Sequence, residues 1–281
     1  MHKLILLVAF LGCLLAAAPA ATTPRVVPVK VGLVMIGATQ EGFALAADGG
    51  SLNADGRVSQ EQKLFQIGKQ GALLLAGTVS IQDPVGRRVR EEVNIARISG
   101  AWLAAHPDVD IQTADREINA AVATGLNKFF STRNFASESG AFKFGIIVAG
   151  FVEGKPTVIA TRYFMPGMKG KAMRTERNSA AATAGDMWIF SRSSVPLELI
   201  MEKSNRMAQF RADPAIKKVR AASPNLTLQD YVAFFDRALR ASESDQGKKL
   251  DGQRAIVAPP NRFATVTPKD GFGWSTAPNS M

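Results

Sequence analysis

From residue 29 to residue 267 the chain follows one order of elements: short strands, two helices, short strands, two helices, short strands. Apolar stretches of strand length run from Val29 to Ile36, Gly42 to Ala47, Lys63 to Ile67 and Ala72 to Ala76. Turn-rich pieces separate them, among them Gly37-Ala38-Thr39-Gln40 and the Gly, Asp and Asn-rich stretch 48–56. Strands packed so closely in sequence imply an antiparallel start. Helical spacing then predicts a helix over Pro84 to Ala105, with Val89, Val93, Ile95, Ala96 and Trp102 near one face. A second helix is expected from a cap at Thr113, with Ile118, Val122, Leu126 and Phe129 on one side. Strands return at Phe142 to Val152 and Thr157 to Tyr163 across the turn Glu153-Gly154-Lys155-Pro156.

Residues 165–180 read as a basic loop rich in Met, Gly and Lys. Helices are expected over 186–203 and 228–242, the second with Tyr231, Phe235 and Leu239 on one stripe, and strands over 253–258 and 262–267. Residues 21–30 carry two prolines and read as an exposed N-terminal arm, 31–267 as a single domain, and Pro268 to Met281 as a flexible C-terminal tail. The fold class that fits this order is α+β: two stacked antiparallel sheets covered by helices.

The first twenty residues have the make-up of a secretory signal peptide. His2 and Lys3 give a positive start, Leu4 to Leu15 an apolar run, and Ala16-Ala17-Ala18-Pro19-Ala20 the small residues that signal peptidase reads. A cut there leaves Ala21 first and implies an exported protein, periplasmic or secreted. The run is too short to span a bilayer comfortably, and no later segment matches it without charges. Cys13, the only cysteine, lies inside it. Phe10-Leu11-Gly12-Cys13 loosely resembles a lipoprotein cleavage site, which would make Cys13 a lipid anchor; otherwise it leaves with the peptide, and the mature chain has no thiol and no disulfide.

Charge and histidine content narrow the chemistry further. The chain has 34 Lys and Arg against 24 Asp and Glu, and losing Lys3 lowers its formal net charge from +10 to +9. The basic residues are scattered, so they favour solubility and contact with anionic surfaces over specific nucleic-acid binding. After the signal peptide His106 is the one remaining histidine, and it reads as part of a helix end before Pro107. A Ser-His-Asp triad would have to use it. Metal sites built on two or three histidines are excluded, and no cofactor is implied.

Three stretches resemble proteasome subunits, members of the N-terminal-nucleophile hydrolase family. Gly42-Phe43-Ala44-Leu45-Ala46-Ala47-Asp48 resembles their strand ending in Ala-Ala-Asp. Lys63-Leu64-Phe65-Gln66-Ile67 resembles their Lys-hydrophobic-x-x-Ile strand, and Leu73-Leu74-Leu75-Ala76-Gly77 their apolar strand ending in Ala-Gly. The match covers about residues 36–80, and beyond it rests on element order. The resemblance implies a four-layer αββα sandwich and an amide-hydrolase site. In such a site the first residue of the processed chain attacks, and its own amine, with a pKa of about 8, takes the proton. Carried over, Asp48 and Lys63 would be the ion pair that favours the alkoxide, and Gly77 the backbone donor to the oxyanion.

The attacking residue is missing from its expected place. Counting back from Asp48 reaches Gly32 or Leu33, depending on a one-residue gap, and no Ser, Thr or Cys occurs from Pro24 to Ala38. Loss of a nucleophile costs roughly a million-fold in rate. Signal cleavage one residue later would expose Thr22, but it lies ten residues before the aligned position, an overshoot of about 30 Å unless the arm folds back at Pro24 and Pro28. Downstream, Ala181-Ala182-Thr183-Ala184-Gly185 resembles the family's serine-and-glycine stretch near the amine, with alanine replacing the serine, and Asp245 falls where the family keeps another supporting aspartate.

Three functions remain open from the sequence. One is a non-catalytic member of the fold, a pseudoenzyme acting in assembly or binding, with a homo-oligomer (ring or dimer) as its expected state. Another is a secreted hydrolase of amide or peptide bonds, using Thr22 and taking a peptide or amide ligand. The last is a protein that binds anionic envelope surfaces through the basic loop Met168 to Arg174.

Overall fold

A computed structural model describes residues 25–28, 32–52, 58–85, 88–131, 142–166, 173–191, 207–221, 225–244 and 257–277. Its architecture follows from a period-two alternation in the strands. In β2 (Leu33–Ala38) and β3 (Phe43–Ala47) every side chain is buried, but on two different sides. Leu33, Met35, Ala44 and Ala46 belong to one apolar core, and Val34, Ile36, Ala38, Phe43, Leu45 and Ala47 to another. The same split runs through β7 (Gly71–Gly77): Leu73 and Leu75 enter a third core, while Ala72, Leu74 and Ala76 share the second. Strands buried on both faces must lie in sheets covered on both faces. The result is a four-layer αββα sandwich, as the order of elements predicts.

One sheet has six strands in the order β1-β13-β2-β3-β14-β15, with β1 (Arg25–Pro28), β13 (Met187–Ser191), β14 (Arg262–Thr267) and β15 (Gly271–Ser275) completing it. All its pairs are antiparallel except β1 with β13. The other sheet is antiparallel throughout, in the order β12-β11-β10-β7-β6, with β6 (Leu64–Ile67), β10 (Phe142–Val152), β11 (Lys155–Phe164) and β12 (Arg174–Ala181). Two small hairpins stand apart: β4 (Gly50–Leu52) with β5 (Val58–Gln60), and β8 (Ser80–Val85) with β9 (Arg88–Asn94).

Helices α1 (Ile95–Ala105) and α2 (Ile111–Phe130) cover the five-stranded sheet. From α2 the predicted stripe Ile118, Val122, Leu126 and Phe129 is buried, together with Ile111, Ala114, Asp115 and Phe130. A partly buried polar relay fixes the helix to the sheet. Asp115 accepts from Arg177 Nε at 2.8 Å and from Asn119 Nδ2 at 2.9 Å, and the Tyr163 hydroxyl donates to Asn119 Oδ1 at 2.6 Å. The six-stranded sheet is covered by α5 (Leu228–Glu243), whose Tyr231, Phe235 and Leu239 are buried, with α4 (Pro214–Arg220) adding Ile216. A short α3 (Met207–Ala212) precedes α4.

The structure corrects several expectations. The helix read over Pro84 to Ala105 begins only at Ile95; the residues before it form the β8–β9 hairpin, whose register shifts at Asp83/Pro84, where proline has no N–H to give the ladder. Asn94 ends the hairpin and starts the helix, its side chain accepting from Arg97 N–H at 2.8 Å. Asp110, and not Thr113, caps α2: one carboxylate oxygen accepts from Gln112 and Thr113 N–H, both at 2.9 Å. Within the stretch read as a basic loop, residues 174–181 are the edge strand β12, exposed along most of its length, so no apolar alternation marks it. Where a helix was expected from residue 186 the chain is strand β13, and the rest of that span lies outside the described residues. The arm contains β1, and the stretch expected to be a loose tail contains β15, paired with β14 through Phe263↔Ser275 to Thr267↔Gly271. Of the strand read at 253–258, only 257–258 is described, and it has no regular structure.

One close approach sets the spacing between α5 and its sheet. A Cβ at Gly37 of β2 would stand 2.5 Å from the Tyr231 ring. Gly37→Ala should therefore lower stability by about 1–3 kcal/mol through overpacking, measured by urea denaturation; an unchanged midpoint would contradict this packing.

Candidate functional site

At one end of the sandwich, where β2 and β6 begin and β3 ends, two charges are buried together. The side chains of Asp48 and Lys63 have 0 % exposure, and Lys63 Nζ lies 3.0 Å from Asp48 Oδ1. The same oxygen accepts the Leu33 N–H at 2.8 Å; the other accepts Gly50 N–H at 2.9 Å and Ala258 N–H at 3.4 Å. Four donors from four separate stretches thus converge on one carboxylate. The segment carrying Ala258 lies across the site, since Gly49 N–H donates to the Ala258 carbonyl at 2.8 Å and a Cβ at Gly49 would meet Pro260.

Gly32 stands in front of this pair. Its φ is +82°, and a Cβ built on it would lie 2.5 Å from Lys63 Nζ and 2.7 Å from Asp48 Oδ1. Leu33 instead sends its side chain into the core under α5. Of the two positions reached by counting back from Asp48, Gly32 is therefore the one that faces the ammonium, and it carries no side chain.

Gly77 ends β7, and Leu75 of that strand donates its N–H to the Lys63 carbonyl at 2.8 Å. Its φ of +87° and the Lys143 carbonyl, 2.6 Å from a Cβ built there, account for glycine at this position. The stretch Ala181 to Gly185 is not brought to the pair. Gly185 N–H donates to the carbonyl of Ala38, at the opposite end of β2 from Gly32, about 20 Å away along a six-residue strand. His106 is spent at the end of α1, exposed and stacked on Trp102 at 4.1 Å, with Nδ1 2.8 Å from the Trp102 carbonyl. Thr22 and Asp245 lie outside the described residues, as do residues 167–172 of the basic loop.

A residue that the sequence reading missed does reach the neighbourhood. Glu243, the last residue of α5, accepts from Asn261 Nδ2 at 2.7 Å. Burial pushes its carboxyl above the usual range, the Asn261 contact opposes that shift, and the negative charge of Asp48 adds to it. Only tertiary packing puts residue 243 near residue 48, so sequence spacing offers no signal for it. Among the described residues no group of three or more His, Cys, Asp or Glu is placed to hold a metal.

No protein-family profile and no curated protein matches the chain. Among solved structures the chain is similar to an Anbu (Gly-1) mutant from Hyphomicrobium sp. strain MC1, at 13% identity and a TM-score of 0.48, over 87% of this chain and 85% of that one. It is also similar to Anbu (ancestral beta-subunit) from Yersinia bercovieri, at 13% identity and a TM-score of 0.47, over 87% of each chain. The layered architecture and the site described above rest on this chain's own sheets, cores and contacts.

Two measurements check the electrostatics. Asp48→Asn or Lys63→Met alone leaves a buried charge without its partner and should cost about 3–5 kcal/mol, while the double variant should lose less than the sum; additive losses in urea unfolding would contradict a coupled pair. Because the folded-state pKa of Glu243 is raised, its ionised form works against the fold, and stability grows as pH falls through that range. Glu243→Gln keeps an acceptor for Asn261 and removes the charge. It should melt higher than the parent near pH 7, with the gap closing toward about pH 4; no gain at neutral pH would contradict the assignment.

Proposed function

We propose that the chain is an exported, proteasome-subunit-like protein that acts through assembly or binding and not as a threonine-type hydrolase. The observation that carries this reading is Gly32. The family resemblance asks for a nucleophile where Lys63 and Asp48 converge, and the position that faces them has no side chain to offer. Three further features support it. The ion pair is sealed from solvent, so it presents no surface to a substrate. The backbone at Leu33 is committed to Asp48 as an amide donor. The chain before Gly32 is built into the fold, because β1 pairs in parallel with β13.

One apolar side chain stands out on the described surface. Trp274 on the edge strand β15 is 54% exposed, the one large apolar side chain so exposed among the described residues, with Phe272 at 5.0 Å and the Arg262 guanidinium over its ring at 5.7 Å. The outward N–H of Phe272 already donates to the Lys69 carbonyl, which removes one donor of this edge from pairing with an added strand. No helix among the described residues is long and apolar enough to cross a membrane. Export rests on the N-terminal sequence.

The test combines the mature N-terminus, read by mass spectrometry on exported protein, with light scattering and turnover assays. The expected outcome is a chain beginning at Ala21, a mass that is a multiple of the protomer's, and no cleavage of peptide or small amide substrates. A chain beginning at Thr22 whose turnover disappears in Thr22→Ala would replace this reading with a hydrolase. A strict monomer would remove assembly from it.

A further inference from the structure

A strand at the edge of a sheet has backbone groups without a ladder partner, and it templates further pairing unless something blunts it. In the two large sheets the edges are β1, β15, β12 and β6. Three of them are blunted. β1 has four residues and ends in Pro28, which has no N–H to give. On β15 the Phe272 N–H is taken by the Lys69 carbonyl at 2.6 Å. β6 also has four residues, and the Gln62 side chain donates to the Leu64 carbonyl at 3.0 Å.

β12 is different. It runs eight residues without proline or glycine and pairs with β11 in unbroken register from Phe164↔Arg174 to Thr157↔Ala181. Among the described residues nothing takes the backbone groups on its outer side. Its faces are open as well: Glu176 and Ala180 are half-buried and the other six residues are exposed, so neither the helices nor the facing sheet closes over this strand. Charged side chains often guard an edge, but here they are paired inside the chain. Glu176 accepts from Arg162 at 2.7 Å and from Arg174 at 3.0 Å, and the Arg174 guanidinium lies over the Phe164 ring at 4.3 Å. Arg177 Nε is 2.8 Å from the Asp115 carboxylate.

We propose that β12 pairs antiparallel with β12 of a second copy of this chain, joining their two five-stranded sheets into one. A two-fold axis perpendicular to the sheet keeps each side chain on its own face, so the axis passes at a residue, which then stands opposite its own copy. At Glu176 or Arg177 this sets like charges directly against each other, which is destabilising. At Asn178 it does not: Arg177 then faces Ser179, Glu176 faces Ala180 and Thr175 faces Ala181 of the second copy. This is the longest register of β12 on itself that avoids like charges directly opposite. The open faces of the strand leave room for the second sandwich to come alongside. The contact names the partner for the assembly proposed above and rests on that reading.

Light scattering of the exported protein and its variants tests this. The parent is expected at twice the protomer mass or a multiple of that. Asn178→Lys sets two ammonium groups opposite each other and should at least halve the mass; because residue 178 is exposed, circular dichroism should still show the parent's fold. With Cys13→Ser in place, a short bifunctional thiol reagent should link copies of Asn178→Cys. It should leave Thr175→Cys unlinked, since residue 175 then lies about 20 Å along the strand from its own copy. An oligomer whose mass ignores Asn178→Lys would overturn this contact and leave the assembly reading in place, whereas a monomeric parent would overturn both. Equal linking at the two positions, or none through Asn178→Cys, would overturn the assigned register.

Discussion

The buried contact between Asp48 and Lys63 is the constraint around which this end of the molecule is arranged. Taking two charges out of water costs several kcal/mol per ion, recovered only when geometry and hydrogen bonding are complete. Asp48 meets that demand with donors at residues 33, 50, 63 and 258, which belong to the start of β2, the start of β4, the approach to β6 and the segment before β14. A one-residue slip in any of these would strip a donor from a carboxylate that water cannot reach. The pair thus fixes how the two sheets meet at their shared end. That is physical reason enough for both residues without any part in catalysis.

What the sequence could reveal depended on whether a residue's environment was written locally. The apolar runs that became β2, β3 and β7 were readable because both faces of these strands are buried, and the stripe of α2 because its period is 3.6. Strand β12 was not, because an exposed edge carries Arg174, Glu176 and Arg177 where a pattern would have to show. The β8–β9 hairpin was mistaken for helix because valines at positions 89 and 93 fit either period over so short a span. For the site, Asp48 and Lys63 were legible through the family resemblance, while the roles of Ala258 and Glu243 come from contacts across about two hundred residues of chain. The choice between Gly32 and Leu33 could not be made from spacing at all; it took the direction of a Cβ.

The two ends of the sandwich consequently differ in kind. Where a hydrolase would need an open pocket, this chain has a dry, fully paired ion and a bare glycine. Where β6 ends, it has an open concave surface lined by Ile67, Lys69, Gln70 and Phe151 among others.

The first described strand has one more implication. Because β1 lies in register with β13, from Arg25 beside Trp188 to Pro28 beside Ser191, it shields that strand's outer edge. Any protease that shortened the chain to free an amine at Gly32 would also strip this cover and leave a raw edge inviting intermolecular pairing. Maturation by trimming and safety from aggregation are therefore opposed in this molecule, and its architecture sides with keeping the leading segment attached.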